Sequence, residues 1–470
     1  MAGKHSAPSL SEGASCHVPA VHYKNEKQAR IVIAVTMFIY AFFSTALIQL
    51  TAPILSYIVE AEGYTDPILS NMIVTIGSLA QIPACLLGAV LGRRMDKKLW
   101  TYICIGCFLI GSLLIIPLSG NIYLVLACRF VVGFGTGILT LLATAVLPDF
   151  FEGKSLSAMI GLIPAGGGLW GFLFSGLEAN ICGVYGWKRA YLVHLYALVP
   201  LILFAFLVPS KPLTMQPETG RKKEGKSGIA PVIFAYSFLG AVLYMGVQVV
   251  WSNTSLWIRE SIGGTAAQIG LISGLFSLCS CGIRLVYGPI YNFLGKKTIH
   301  LSAVLLAFGL FLASGAGSFA MAAAAGSLVG AAMGLAAPIC LNLGIEASPE
   351  NQVTAQAIIT VGFSLGQFLS TYWMDFARRF SDGTFPGIFR ISAWFILGLP
   401  VVLTVGHFAI PMVTSHSRPY IAHGKPGPGH GWLWSGIRRP DKPGSDPEKP
   451  HLFPRLNIPH GHHGPDRSDR

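Results

Sequence analysis

Long apolar segments separated by short polar ones dominate the chain between residues 31 and 413. Each is close to the roughly 20 residues that a helix needs to cross the hydrocarbon core of a bilayer. Six of them precede a basic stretch and six follow it. The pattern predicts twelve membrane-spanning helices, at 31–59, 67–91, 99–118, 121–147, 155–179 and 190–208, and then at 230–257, 266–291, 299–317, 318–344, 352–374 and 388–413.

The composition supports a membrane protein and argues against a string of soluble domains. Hydrophobic residues make up 52% of the chain and charged residues only 11%, whereas soluble proteins carry about 25% charge. So few charges cannot cover several soluble surfaces, and most helix surfaces must therefore face lipid. The lipid bilayer is the first expected partner of this chain.

Basic residues lie between the apolar segments and indicate how the chain is oriented. The chain has 33 Lys and Arg against 21 Asp and Glu, but this excess avoids the spans, so nucleic acid is not an expected partner. With a cytoplasmic N-terminus, the inner loops and tails hold 25 basic residues and the outer loops six. Because basic residues favour the cytoplasmic side, we expect a multi-pass protein of the cell membrane with both termini cytoplasmic.

Polar stretches divide the chain into five parts. We expect a cytoplasmic tail without a secretory signal at 1–30, helical halves at 31–208 and 230–413, a cytoplasmic loop at 209–229, and a disordered cytoplasmic tail at 414–470. The last tail is rich in Pro, Gly and His and has no apolar period. Its histidines could hold a metal loosely, but a solvated tail is favoured, and no metal site or cofactor is assigned.

The two halves repeat each other at a fixed offset. Residue pairs exactly 200 positions apart match at equivalent places in the two sets of six segments, namely Ile58 with Ile258, Glu60 with Glu260, Thr65 with Thr265, Gly88 with Gly288, and Lys97 with Lys297. Several matches with one offset indicate an internal duplication. We therefore predict an all-α membrane protein of two pseudo-symmetric six-helix bundles.

Glycine and basic residues after spans 2 and 8 resemble the loop signature of the major facilitator superfamily. The first copy runs from Gly88 through Arg93 to Lys97, and the second contains Gly288, Gly295, Lys296 and Lys297. The resemblance implies a close helix crossing at the first glycine and a charged gate at the loop. Gly92 and Asn292 stand where the family has aspartate, so Asp149 is the expected partner of Arg93.

Spans 4 and 5 carry further resemblances to the same superfamily. Arg129, Gly133 and Gly137 are similar to its arginine-and-glycine motif, in which the glycines share one face and allow close packing. Span 5 has the glycine face typical of the superfamily's proton-driven drug antiporters, but Phe172 replaces the usual proline. The resemblance implies twelve helices, transport by alternating access and a monomer.

Charged residues at membrane depth are candidates for function because they are costly there. Arg129 and Arg284 are such residues. For Arg129 a role in bracing the helices is favoured, and for Arg284 bracing and substrate binding are both open. No acid lies plainly at mid-membrane. Glu178 falls near an outer helix end, with the alternative that the span is shifted by a turn and Glu178 reaches a cavity. His194 is expected to pack with a hydrogen bond, as is His407.

Uncharged polar and aromatic side chains supply the expected lining of a substrate cavity. Four candidates lie in spans that the resemblance places around the cavity, namely Gln49, Gln248, Trp251 and Asn253. Asn342 and Gln367 add hydrogen-bonding groups, and Arg284 adds a charge. Hydrogen bonding between helices is the alternative role for each.

These features together predict a secondary active transporter of a small-molecule substrate, and not an enzyme. No phosphate-binding loop ending in Lys and Ser or Thr is present, so a gradient of protons or another ion is the expected energy source. Proton-coupled efflux of amphipathic or drug-like compounds is favoured. Uptake or exchange of a small organic anion at Arg284 is the alternative, and a non-transporting membrane sensor is a remoter one.

Overall fold

The computed structural model of this chain describes residues 26–41, 43, 50–91, 97–147, 150–151, 153–208, 230–348 and 351–409. Most of the predicted tails and the loop 209–229 lie outside these residues. The described part is helical and contains no strand. Its α-helices are α1 (Glu26–Tyr40), α2 (Leu55–Glu62), α3 (Pro67–Leu91), α4 (Lys97–Leu118), α5 (Ile122–Ala145), α6 (Gly153–Tyr185), α7 (Trp187–Ala190), α8 (Leu198–Leu207), α9 (Val232–Trp251), α10 (Thr254–Ile262), α11 (Ala266–Leu285), α12 (Tyr287–Leu294), α13 (Thr298–Ser314), α14 (Phe319–Ala347), α15 (Gln352–Arg379) and α16 (Phe385–Ala409).

Every predicted span overlaps a described helix, so the hydrophobic pattern located the helices well. Among the described residues, eight helices are long and apolar enough to cross a membrane. The lipid environment explains the helical form, because a segment in hydrocarbon has no water to bond and must satisfy its backbone hydrogen bonds internally. Side chains cap the starts of α5, α11 and α14, and at α11 Thr265 and Gln268 form a reciprocal capping box.

The first and seventh spans are each broken at the same place. A 3-10 turn at Ala52–Ile54 precedes α2, and a turn at Ser252 and Asn253 precedes α10. Ile54 has φ −110° and ψ 2°, and Asn253 has φ −110° and ψ 8°. Both short helices end at a left-handed glycine, Gly63 and Gly263, a backbone conformation that glycine adopts at no steric cost. The sequence repeat therefore extends to backbone geometry.

Glycines allow the helices of each half to cross at backbone contact. A Cβ atom added to Gly133 of α5 would lie 2.1 Å from the carbonyl oxygen of Gly77 of α3, and one added to Gly330 of α14 would lie 2.2 Å from the carbonyl oxygen of Phe276 of α11. Such approach maximises van der Waals contact, which drives helix association in lipid. The packing role predicted for Gly133 fits this geometry. By contrast, a Cβ atom at Gly288 would meet no described atom within 4 Å, so the close crossing expected there is not found.

Replacing Gly133 with alanine is expected to destabilise the protein by at least about 2 kcal/mol, because the new methyl group would force α3 and α5 apart. Gly106→Ala in α4 is the matched control, since a Cβ atom there meets no described atom within 4 Å. Thermal unfolding in detergent should show a lower midpoint for Gly133→Ala and an unchanged or higher one for Gly106→Ala. Equal midpoints would contradict the close crossing.

Candidate functional site

The two halves meet along two seams, of which the first is built from small residues. Helix α6 of the first half packs against α11 of the second. A Cβ atom added to Gly168 would lie 2.3 Å from the Cβ atom of Cys281, and one added to Gly270 would lie 2.7 Å from the Cβ atom of Ala179. Small residues therefore bring the two backbones close together, and the ring of Phe172 on α6 packs against Gly274 on α11. The sequence analysis identified the glycine face of this span and left its partner open.

The second seam, between α3 and α15, is polar and uncharged. Three side-chain hydrogen bonds cross it. The hydroxyls of Thr75 and Thr371 bond each other at 2.7 Å. Ser78 Oγ donates to Gln367 Oε1 at 2.8 Å, and Ser364 Oγ donates to Gln81 Oε1 at 3.3 Å. Hydrogen bonds between membrane helices contribute on average only about 0.6 kcal/mol each. Gln367, predicted as cavity lining, thus joins the two halves through bonds that can be exchanged at low cost.

An ion pair closes one end of the interface between the halves. Arg259 Nη1 of α10 lies 2.6 Å from Glu60 Oε2 of α2, and its guanidinium group lies 4.7 Å from the ring centre of Tyr57. The backbone N–H of Ser56 donates to Ser255 Oγ at 3.0 Å. We call these five residues the latch, and the end of the bundle that holds them the Glu60 end. The sequence repeat pointed to these segments, but it gave no indication that they touch.

Three of the predicted lining residues lie in α9 or at its end, and all three are buried. Trp251 is 1% exposed, and its ring packs on Phe276 with centroids 4.2 Å apart. Asn253 Nδ2 donates to Val249 O at 3.2 Å and contacts Met374 of α15, so this side chain supports the break before α10. Gln248 is 3% exposed. Gln49 lies outside the described residues.

Arg284 and Asn342 lie toward the opposite end, in the second half. Asn342 Nδ2 donates to the hydroxyl of Tyr287 at 2.8 Å, which joins α14 to α12. Arg284 is half-buried, and its Nε atom has no hydrogen-bond partner among the described residues. An arginine in this state retains donors for an anion.

The predicted gate residues are described only in part. Gly88 lies in the last turn of α3, and Lys97 begins α4. Arg93 and Asp149 lie outside the described residues, so their pairing stays a prediction.

In the second copy, Gly295 ends α12 with φ 54°. Lys296 lies 3.8 Å from Glu346 of the same half, and Lys297 is exposed. Gly137 packs on Ala84.

A cluster of charged and titratable side chains lies fully buried inside the first half. Arg129, Glu178 and His194 are all 0% exposed. Arg129 Nε donates to Ile73 O at 2.8 Å, which agrees with a bracing role. His194 Nδ1 lies 2.9 Å from Tyr191 O, in agreement with the hydrogen-bonded packing predicted for it. The side chain of His407 is outside the described part.

Glu178 lies farther from the end of its helix than the sequence predicted. The predicted fifth span ends at residue 179, whereas α6 continues to Tyr185 because Ile181, Cys182 and Val184 extend the apolar run. Glu178 therefore lies about two turns inside the helix, next to His194 and Arg129. A polar residue about two turns before the loop at Gly186 was the signal for this in the sequence.

The described helices thus form two halves that meet along two seams, with an ion pair between them at one end. The sequence profile of the Major Facilitator Superfamily matches residues 37–371 and 236–419. The chain belongs to this superfamily, and it is a multi-pass membrane transporter.

Similar proteins have related descriptions. A "Putative sugar efflux transporter" of Deinococcus radiodurans is 26% identical over 267 residues, which cover 51% of this chain and 63% of that protein. The match thus spans less than two thirds of this relative. A mutant peptide transporter POT bound to sulfate has a TM-score of 0.64 at 12% identity, over 83% of this chain and 99% of the other. The inward-open xylose transporter XylE from E. coli has a TM-score of 0.59 at 16% identity, over 79% and 96%. These structures show the fold alone.

Removing either side of the latch ion pair is expected to open the Glu60 end more often. Exposed ion pairs contribute about 0.2–1 kcal/mol, so Arg259→Gln or Glu60→Gln should raise the ratio of open to closed molecules by up to about fivefold. Spin labels at Thr65 and Glu260 would report the distance between the halves at this end.

The charge swap Glu60→Arg with Arg259→Glu should restore the closed distance, because it restores the attraction. Arg379→Gln is the matched control, since its partner Asp375, at 2.7 Å, lies on the same helix. A distance distribution unchanged in both single latch variants would show that the latch does not hold this end.

Proposed function

We propose that this protein is a secondary active transporter that exports a small organic solute across the cell membrane by alternating access. Its two halves would rock about a central site, with a proton gradient as the energy source and a monomer as the working unit. The orientation follows the basic residues, so the Glu60 end would face outward. In that orientation the structure would represent a state that is closed to the outside.

One observation carries this proposal: the latch joins the halves through an ion pair at one end, while small residues line the first seam and exchangeable hydrogen bonds cross the second. A permanent brace would be expected to bury large apolar side chains between the halves along their length. Small residues and exchangeable hydrogen bonds instead allow the halves to tilt while the seams stay in contact. Closing one end and opening the other then requires little energy.

The groups on the polar seam favour a substrate without a net charge. Gln81, Gln367 and their hydroxyl partners can exchange their hydrogen bonds with one another for bonds to a solute hydroxyl, ether or amide group. Aromatic rings such as those of Tyr244 and Phe363, stacked at 4.3 Å, suit its apolar side. The efflux of sugars named for the Deinococcus relative supports the same class, a small uncharged amphipathic solute, and the outward direction.

Arg284 supports a second candidate, the uptake or exchange of a small organic anion. Its Nε atom has no hydrogen-bond partner in the part of the chain that the structure describes, and no ion pair of Arg284 is found there. A carboxylate would satisfy the guanidinium group in a bidentate manner. This candidate predicts a substrate whose binding depends on one residue.

A disulfide across the latch is expected to stop transport. In a background without native cysteines, Ser56→Cys with Ser255→Cys would link α2 to α10, because the serine hydroxyl of one residue already meets the backbone of the other. Oxidation should abolish solute exchange in proteoliposomes, and a reductant should restore it.

The matched control is Ser302→Cys with Ala332→Cys, where a serine hydroxyl also meets a backbone group, at 2.9 Å, but both helices belong to the second half. Oxidation of that pair should leave exchange unchanged. Continued exchange through the oxidised latch variant would exclude alternating access at this interface.

A thermal-shift screen would separate the two substrate classes. A ligand at 100 times its dissociation constant stabilises the folded state by about 2.7 kcal/mol. Sugars and lipophilic compounds should stabilise the wild type and Arg284→Gln equally. Carboxylates that stabilise the wild type and Arg390→Gln, but not Arg284→Gln, would establish the anion candidate instead.

A further inference from the structure

Glu178 is a buried acid whose oxygens have no hydrogen-bond partner in the described part of the chain. The side chain is 0% exposed, and neither Oε1 nor Oε2 accepts a hydrogen bond from any described group. A carboxylate withdrawn from water in this way is costly unless it is neutralised by a proton or by a nearby positive charge. The position therefore requires a neutralising partner, and the surrounding residues show which ones are available.

His194 is a titratable neighbour of Glu178, with Nδ1 3.9 Å from Glu178 Oε1. Because Nδ1 also lies 2.9 Å from the carbonyl oxygen of Tyr191, which can only accept, Nδ1 carries a hydrogen atom. The Nε2 atom has no partner in the described part of the chain. The imidazole ring stacks between two aromatic rings. Its centroid lies 5.7 Å from that of Phe108 and 4.5 Å from that of Tyr191.

Positive charge comes from Arg129, which lies within electrostatic range of Glu178. Its Nε is engaged by Ile73 O, and its guanidinium group is hydrogen-bonded to the Tyr191 hydroxyl. Two further titratable groups face this site: the Tyr191 hydroxyl, which also bonds Thr51 Oγ1 at 3.0 Å, and the thiol of Cys182 on the next turn of α6. A fixed positive charge held by other partners can balance an ionised Glu178 without bonding to it.

The site lies next to the latch. Cys182, one turn from Glu178, is within electrostatic range of Arg259, the latch residue of the opposite half. Thr51, which bonds Tyr191, precedes the 3-10 turn that leads into α2. Separation of α2 from α10 would therefore open the layer between Glu178 and the Glu60 end.

We propose that Glu178 is the proton-binding group that couples solute movement to the proton gradient, with His194 and Arg129 as its positioning residues. The inference rests on the proposed transport function. When the latch opens, the carboxylate takes one proton from water at the Glu60 end and becomes a neutral acid. After the latch closes, the same proton leaves toward the other side, and Arg129 again balances the carboxylate.

A purely structural ion pair would be expected to look different. Structural pairs in low dielectric bond directly, because otherwise the desolvation of both charges is not offset. Here the arginine is bonded to Ile73 O and to the Tyr191 hydroxyl, and the acid accepts no hydrogen bond from the described residues. Such a site tolerates both the ionised and the protonated acid, as a proton carrier requires.

Infrared difference spectroscopy on the purified full-length protein, titrated with acid, tests the site without any substrate. The wild type should show the carbonyl stretch of a buried carboxylic acid, and Glu178→Gln should lack it. Glu260→Gln, an exposed glutamate at the same end of the bundle, should keep it. An identical band in the wild type and Glu178→Gln would overturn the proposal.

His194→Phe provides a second readout should Glu178→Gln fail to fold. Phenylalanine keeps the stacking between Phe108 and Tyr191 and removes the N–H near the acid, so the carbonyl band should move to higher frequency. An unmoved band would show that His194 does not position the acid.

Transport assays separate this inference from the function on which it rests. In proteoliposomes, Glu178→Gln should retain the exchange of labelled against unlabelled glucose, the sugar probe, and lose accumulation driven by a pH gradient. Equal pH-driven accumulation by wild type and Glu178→Gln would overturn the proton site and leave transport intact. A wild type that moves no compound of a sugar, lipophile and carboxylate panel, while its carboxylic-acid band still depends on Glu178, would refute transport and retain the proton site.

Discussion

No hydrophobic driving force brings helices together in lipid, because lipid tails are as apolar as the side chains, and the architecture of this protein depends on that constraint. Association must come from van der Waals contact and a few polar bonds. The chain meets this requirement with residues small enough to bring backbones together, as at Gly133 and Gly330 within the halves and Gly168 between them. Because small residues make these contacts, the helices can lie close together, and the two halves can still tilt against each other.

The same constraint concentrates directional interactions at a few places. Between the halves, the described polar contacts form a ladder of hydrogen bonds on one seam and an ion pair at one end. Neither is strong, since exposed ion pairs and interhelical hydrogen bonds each contribute about 1 kcal/mol or less. A transporter needs two states of similar energy, because a deep minimum would stop the cycle. Weak contacts between rigid halves provide this balance.

The sequence was sufficient for the helices and insufficient for the chemistry between them. Apolar length located a helix at each predicted span, and eight of the described helices are long and apolar enough to cross a membrane, because the bilayer fixes the length of a span. Gln367 and Asn342 were recognised as polar groups at depth, but which helix each would bond depended on the packing. Glu178 was placed near a helix end because the boundary of span 5 was drawn six residues early. The latch was missed because a repeat locates two segments without showing that they touch.

The latch also shows that the two halves cannot be interchangeable. At the matching segments, Ile58-Val59-Glu60 stands opposite Ile258-Arg259-Glu260, and the two differ in one charge. With valine at position 259, as at the matching position 59, Glu60 would lose its cationic partner at 2.6 Å. The attraction at this end therefore depends on the one charge by which the two repeated segments differ.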